Sequence, residues 1–232
     1  GKTGIYVSEL CFGCMTIGST EKSNYGMSTA SGQESFQLMD EYVSRGGFFF
    51  DTADAYGAGD SEIVLGEWMK KQKRDDLVIA TKFYSKMGNN VNSQGGSRKH
   101  IANAITSSLD RLKTDYIDLY QLHMNDPETT MEETFRTLND LVRVGKIHYI
   151  GVSNFTGAQL QKAVDVCKYM GLEDVVSLQA QYSLLCRSTE WDLLEICKND
   201  GLGCLPWSPL AGGWLSGRYT RELSQPPEGN LF

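Results

Sequence analysis

FFFDTADAYG, residues 48–57, sets a carboxylate, Asp51, at the close of an apolar run and a phenol, Tyr56, just beyond it. Two further runs end in the same way: VIATK closes on Lys82 and YIDLYQLH closes on His123. Four ionisable groups thus stand at the C-terminal ends of three separate apolar runs or a few residues past them. That is where a barrel of alternating strands and helices keeps its functional residues.

Outward from this stretch, strand-like runs rich in Val, Ile, Leu, Phe or Tyr recur around residues 10–14, 47–51, 77–81, 116–122, 147–152, 175–179 and 203–207. Between them lie helical patterns with start signals. Ser31 with Glu34, Thr130 with Glu133, and Thr156 with Gln159 each fit the capping box. Ile101, Ile105, Leu109 and Leu112 recur at helical period, as do Phe135, Leu138, Leu141 and Val142, and Gly46, Gly145 and Gly201 are expected helix stops. The strands follow one another at intervals of roughly 28–40 residues, close to the unit of a (β/α) barrel. A doubly wound sheet also alternates, but its dinucleotide-binding form wants GxGxxG after the first strand. The nearest pattern, Gly57-Ala58-Gly59, follows the second strand and lacks the third glycine. The sequence therefore predicts one α/β domain over residues 1–232, a barrel whose eighth unit is absent from the chain.

Composition narrows the function. The chain has 232 residues with 41% hydrophobic content, enough for one sizeable core. A net charge of -7 without a basic stripe argues against nucleic acid as a partner. No run approaches the roughly 18 apolar residues of a membrane span, so membrane insertion is not expected, and GKTGIYVSEL carries no signal-peptide core. Cysteines at 11, 14, 167, 186, 197 and 204 lie mostly in apolar runs and read as reduced core thiols, which points to the cytoplasm. Cys11 and Cys14 match CxxC, but no second pair or histidine pair accompanies them, and no metal is expected. Asn154-Phe155-Thr156 matches a glycosylation sequon and is taken as coincidence. Two long segments, 16–31 and 83–98, leave strand ends and are candidate substrate loops, although the Gly/Asn/Ser-rich part of the second also has the composition of a disordered segment.

Taken singly, a Tyr after a strand is usually packing, a Lys at a strand end is usually solvated, and an Asp before a turn is usually a cap. Together the four groups make chemical sense. A phenol titrates at about pH 10 and donates a proton to a substrate oxygen more readily when an ammonium stabilises its phenolate. Lys82 is the candidate ammonium for Tyr56, Asp51 its counter-ion, and His123 a hydrogen-bonding group for the same substrate oxygen.

FDTADAYG, IATK, YQLH, GVSNF, SLQAQYS and WSPLAGG occur in one order at successive strand ends, and by these motifs the whole chain resembles the aldo-keto reductases, NAD(P)H-dependent carbonyl reductases on a TIM (β/α)8 barrel. LAGGWLSGRY is most similar to the aryl-alcohol-dehydrogenase-like and potassium-channel β-subunit-like branches. The resemblance implies that Asp51, Tyr56, Lys82 and His123 form a catalytic tetrad. It further implies that Ser153, Asn154 and Gln179 hold the nicotinamide carboxamide, with Asp51 also beside the cofactor. Trp207 would stack on the ring, and Ser208 and Leu210 would face the pyrophosphate.

The implied cofactor is NADP(H), with NAD(H) also open, because the basic segment that reads the 2′-phosphate in this family does not follow Gln225-Pro226-Pro227-Glu228. From that departure the chain is expected to be a portion of a longer protein. Phe83, Tyr84, Met124 and Trp214, at or near strand ends, suggest a pocket for an aromatic or apolar small-molecule carbonyl substrate. The function implied is reduction of aldehydes or ketones to alcohols with Tyr56 as general acid. The alternative is a cofactor-binding regulatory or channel-associated subunit with slow or idle reductase activity.

Overall fold

The computed structural model describes residues 1–18, 30 and 32–223. Strands and helices alternate: β1 (Phe12–Gly13), α1 (Gly32–Ser44), β2 (Phe49–Asp51), α2 (Asp60–Met69), β3 (Val78–Phe83), α3 (Arg98–Leu112), β4 (Ile117–Leu122), α4 (Met131–Arg143), β5 (Ile147–Ser153), α5 (Gly157–Met170), β6 (Val175–Gln181), α6 (Leu193–Asp200) and β7 (Gly203–Trp207). All seven expected strands are present. They pair in parallel in the order β1-β2-β3-β4-β5-β6-β7. A doubly wound sheet would reverse its order at a switch point, and this one does not.

The sheet is curled. β2 and β6 lie four strands apart, about 19 Å in a flat sheet, yet Gln179 Nε2 on β6 donates to Asp51 Oδ2 on β2 at 2.9 Å. The fold is thus an open, seven-stranded portion of a (β/α) barrel. No eighth strand occurs among the described residues.

Alternation along the strands divides the side chains between two cores. Phe49, Val78, Ala80 and Leu119 point inside the curl and pack together. Phe50, Ile79, Phe83, Tyr120, Leu122 and Val152 point outward, where the helices supply Met39, Leu65, Trp68, Ile105, Phe135 and Leu160. The helical faces read from the sequence behave accordingly: Ile101, Ile105 and Leu112 are fully buried, as are Phe135 and Leu138.

The helix ends follow local chemistry with one exception. Thr156 and Gln159 form the complete reciprocal box at the start of α5. Thr130 accepts from the Glu133 N–H at the start of α4, but the Glu133 side chain does not return the bond. Its Oε1 instead accepts the N–H of Arg98 at 2.9 Å, tying α4 to α3. The box expected at Ser31 lies outside the described residues, as does most of the loop 16–31. Gly46, Gly145 and Gly201 all take positive φ at helix ends. The segment after β3 is held by hydrogen bonds rather than left loose. Gly95 N–H donates to Tyr84 O at 2.8 Å, Met87 N–H to Ser93 O at 2.9 Å and Gly96 N–H to Asp126 Oδ2 at 2.7 Å.

Cys14, Cys167 and Cys197 are buried core thiols, whereas Cys186 and Cys204 are partly exposed and Cys11, just before β1, is exposed. Among the described residues no helix is long and apolar enough to cross a membrane.

Candidate active site

The turn after β2 is pinned to β3, and that pinning places Tyr56. Thr52 N–H donates to Ala80 O at 2.9 Å and Asp54 N–H to Lys82 O at 3.1 Å. Beneath them Thr52 Oγ1 and Ser61 Oγ share a hydrogen bond at 2.8 Å, and Ser61 Oγ donates to Cys14 O at 2.7 Å. Tyr56 then opens a short 3-10 turn, Tyr56–Gly59, in which Gly57 and Gly59 accept φ of 58° and 100°. The phenol is turned back over the strand ends.

Lys82 is fully buried, and each of its three ammonium hydrogens has an acceptor. Nζ lies 2.5 Å from Asp51 Oδ1, 2.8 Å from Thr52 O and 3.1 Å from Tyr56 Oη. His123, just past β4, sets its ring edge-on to Tyr56 with centroids 6.0 Å apart. The four residues converge at one mouth.

Charge in this cluster is sharply sorted. Burial pulls the Lys82 ammonium toward deprotonation, but Asp51 and Tyr56 outweigh that and hold its pKa above the ordinary lysine value. Burial, and then the charge of Lys82, push His123 down to about 4 against the opposing pull of Asp51. His123 is therefore neutral at pH 7, and its Nδ1 is buried with no hydrogen-bond partner among the described residues. A cationic lysine, a neutral imidazole and a phenol facing one opening can together hold and protonate an oxygen atom.

On the other side of the mouth, Ser153 ends β5 and is almost wholly buried. Asn154 follows at φ 59° and bridges neighbours: its Nδ2 donates to His123 O and to Ser153 Oγ, each at 3.1 Å, while its Oδ1 accepts from Trp207 Nε1 at 3.0 Å. Trp207, at the end of β7, is partly exposed. Amide donors and acceptors and a flat ring are thus gathered beside His123, and these suit the carboxamide and ring of a nicotinamide. Beyond β7 the backbone turns sharply, with Ser208 at φ 54° and its carbonyl accepting from Ala211 N–H at 2.8 Å. Leu210 is exposed there.

The residues expected to line a substrate pocket divide. Met124 follows His123 at the mouth and is exposed. Phe83 is elsewhere: alternation that turns Lys82 inward turns Phe83 outward, where it is fully buried and stacked on Tyr120 with centroids 4.8 Å apart. Tyr84, at φ 148°, packs in part against that same outer core. Trp214 is exposed and stacks flat on Tyr219 at 4.6 Å.

One site residue was not anticipated. Gln121 is fully buried and donates through Nε2 to Asp51 Oδ2 at 2.9 Å. Its signal was available, because alternation along YQLH puts Gln121 on the same face as His123.

Residues 9–230 match the model of the aldo/keto reductase family. The chain belongs to the aldo/keto reductase family. Within it the chain is 36% identical to norsolorinic acid reductase B of Dothistroma septosporum, over 96% of this chain and 59% of that protein. It is 39% identical to the uncharacterised oxidoreductase YrpG of Bacillus subtilis, over 96% of this chain and 68% of that protein. A Saccharomyces cerevisiae protein provisionally named as the aryl-alcohol dehydrogenase AAD16 is 34% identical over 97% of this chain and 69% of its own length. The chain thus spans about six- to seven-tenths of the length of these relatives.

Proposed function

We propose that the protein reduces aldehydes or ketones to alcohols with NADP(H), and that Tyr56 is the general acid. The observation that carries this reading is the 3.1 Å contact of Tyr56 Oη with the buried ammonium of Lys82. An ammonium at that distance favours the phenolate left behind when the phenol gives up its proton. Asp51 keeps Lys82 charged and oriented, and neutral His123 hydrogen-bonds the substrate oxygen without competing for Tyr56's proton. Bound nicotinamide supplies the hydride for the carbonyl carbon. Ser153, Asn154, Gln179 and Trp207 would bind and orient it, and Ser208 and Leu210 would hold its pyrophosphate.

Family membership and the reductase names of several relatives support the reaction class. Met124, exposed beside His123, favours an apolar or aromatic carbonyl substrate, and the six free cysteines suit a reducing compartment such as the cytoplasm.

The test is to give the intact protein NADPH, and in parallel NADH, with 4-nitrobenzaldehyde. Cofactor oxidation matched by alcohol formation is expected. Tyr56→Phe should keep cofactor affinity and lose roughly 10²–10⁴ in kcat, the usual contribution of a general acid. Tight NADPH binding without turnover by the unaltered protein would instead favour a regulatory subunit.

A further inference from the structure

The carboxylate of Asp51 is held asymmetrically. Oδ1 carries the ammonium of Lys82, whereas Oδ2 accepts two side-chain amides, Gln121 Nε2 and Gln179 Nε2, both at 2.9 Å. The two glutamines differ in their surroundings. Gln121 is fully buried inside the curl and packs closely against Gly151. A Cβ there would stand 3.0 Å from Gln121 Cγ and 2.5 Å from Ser177 Oγ. Gln121 Oε1 is buried with no partner among the described residues, so the residue's one hydrogen-bonding engagement in the site is with Asp51. Gln179 is also buried but sits beside Asn154, its backbone carbonyl accepting the N–H of Asn154 at 3.0 Å.

We infer that Gln121 is a positioning residue that keeps Asp51 Oδ2 hydrogen-bonded, so that the amide of Gln179 can leave Asp51 and turn to the carboxamide of the cofactor. The inference rests on the cofactor reading above. A buried carboxylate oxygen stripped of its last donor is strongly disfavoured. Without Gln121, Gln179 would be the sole amide on Oδ2 and would be pinned there. With Gln121 in place Oδ2 keeps a donor throughout, and Gln179 reorients freely. The Asp51–Lys82–Tyr56 chain then stays the same whether or not the mouth is filled.

The handover predicts that the two glutamines are coupled in binding. In the intact protein, Gln121→Met should weaken NADPH affinity about tenfold, the worth of one hydrogen bond to a charged group. In a Gln179→Met background the same change should leave affinity unaltered, because no amide remains to hand over. Equal effects of Gln121→Met in both backgrounds would overturn the inference and reduce Gln121 to packing. A measurement on the unaltered protein guards against a variant that does not fold. On saturation with NADPH, the side-chain amide resonances of Gln179 should move while those of Gln121 stay in place. Movement of both or of neither would also overturn it. If the unaltered protein binds neither NADPH nor NADH, the cofactor reading fails and the handover with it. If it binds and the cycle is additive, the handover alone fails.

Discussion

Asp54 lies in the same FDTADAYG stretch as Asp51 and Tyr56, yet its carboxyl faces the outer layer rather than the mouth. It is buried, neither oxygen has a hydrogen-bond partner among the described residues, and Glu62, Arg111, Lys82 and Tyr120 are its ionisable neighbours. Burial, then the charge of Glu62, push its pKa up to about 8 against Arg111 and Lys82. The folded protein thus keeps a proton that the unfolded chain releases above about pH 4. Asp54 therefore contributes stability that is fully present below that pH and is lost as pH rises through about 8. Asp54→Asn mimics the protonated form, so the urea midpoint of the unaltered protein should fall between pH 5 and 9 more steeply than that of the variant. Parallel curves would contradict the assignment. Lys82→Met should lower carbonyl reduction by roughly 10²-fold or more, because Tyr56 loses the charge that favours its phenolate. It should also destabilise the fold by about 3 kcal/mol, because Asp51 is left without its counter-ion. At this scale every ionisable member of the cluster was legible in the sequence, whereas Gln121, an uncharged amide, stands out only once strand alternation is used to put it on the face of His123.

Strands were legible as elements because each is a compact apolar run, and all seven fall where such runs lie. Side-chain direction within a strand was less so. Phe83 reads as a mouth residue from its place beside Lys82, but a period of two sends neighbours to opposite faces. Phe83→Ala is therefore expected to cost about 3–5 kcal/mol in urea denaturation, with NADPH affinity and the KM for aldehyde little changed in the folded fraction. A large rise in KM with stability intact would return Phe83 to the substrate pocket. The α4 start illustrates a different limit. Local chemistry fits a reciprocal capping box at Thr130 and Glu133, but Glu133 is drawn to the backbone of α3. That competition is between elements distant in sequence and cannot be read from a four-residue motif.

For the whole molecule, alternation and spacing favoured a barrel before any strand order was known, and the unreversed order of seven parallel strands agrees. The resemblance put Gln179 and Asp51 beside one cofactor, but their direct hydrogen bond, between residues 128 positions apart, was not readable from spacing. That curvature brings Asp51, Tyr56, Lys82 and His123, carried by β2, β3 and β4 and the turns that follow them, to face the amides and indole of β5, β6 and β7. In the proposed reaction one half would protonate the carbonyl oxygen while the other holds the nicotinamide. The most direct measurement is to supply the intact protein with NADPH deuterated at the transferable C4 position together with 4-nitrobenzaldehyde, and to locate the label in the product. The account predicts one deuterium on the alcohol carbon, with the unaltered protein forming alcohol at least 10²-fold faster than Tyr56→Phe. Alcohol without deuterium, or equal rates from the two proteins, would contradict it.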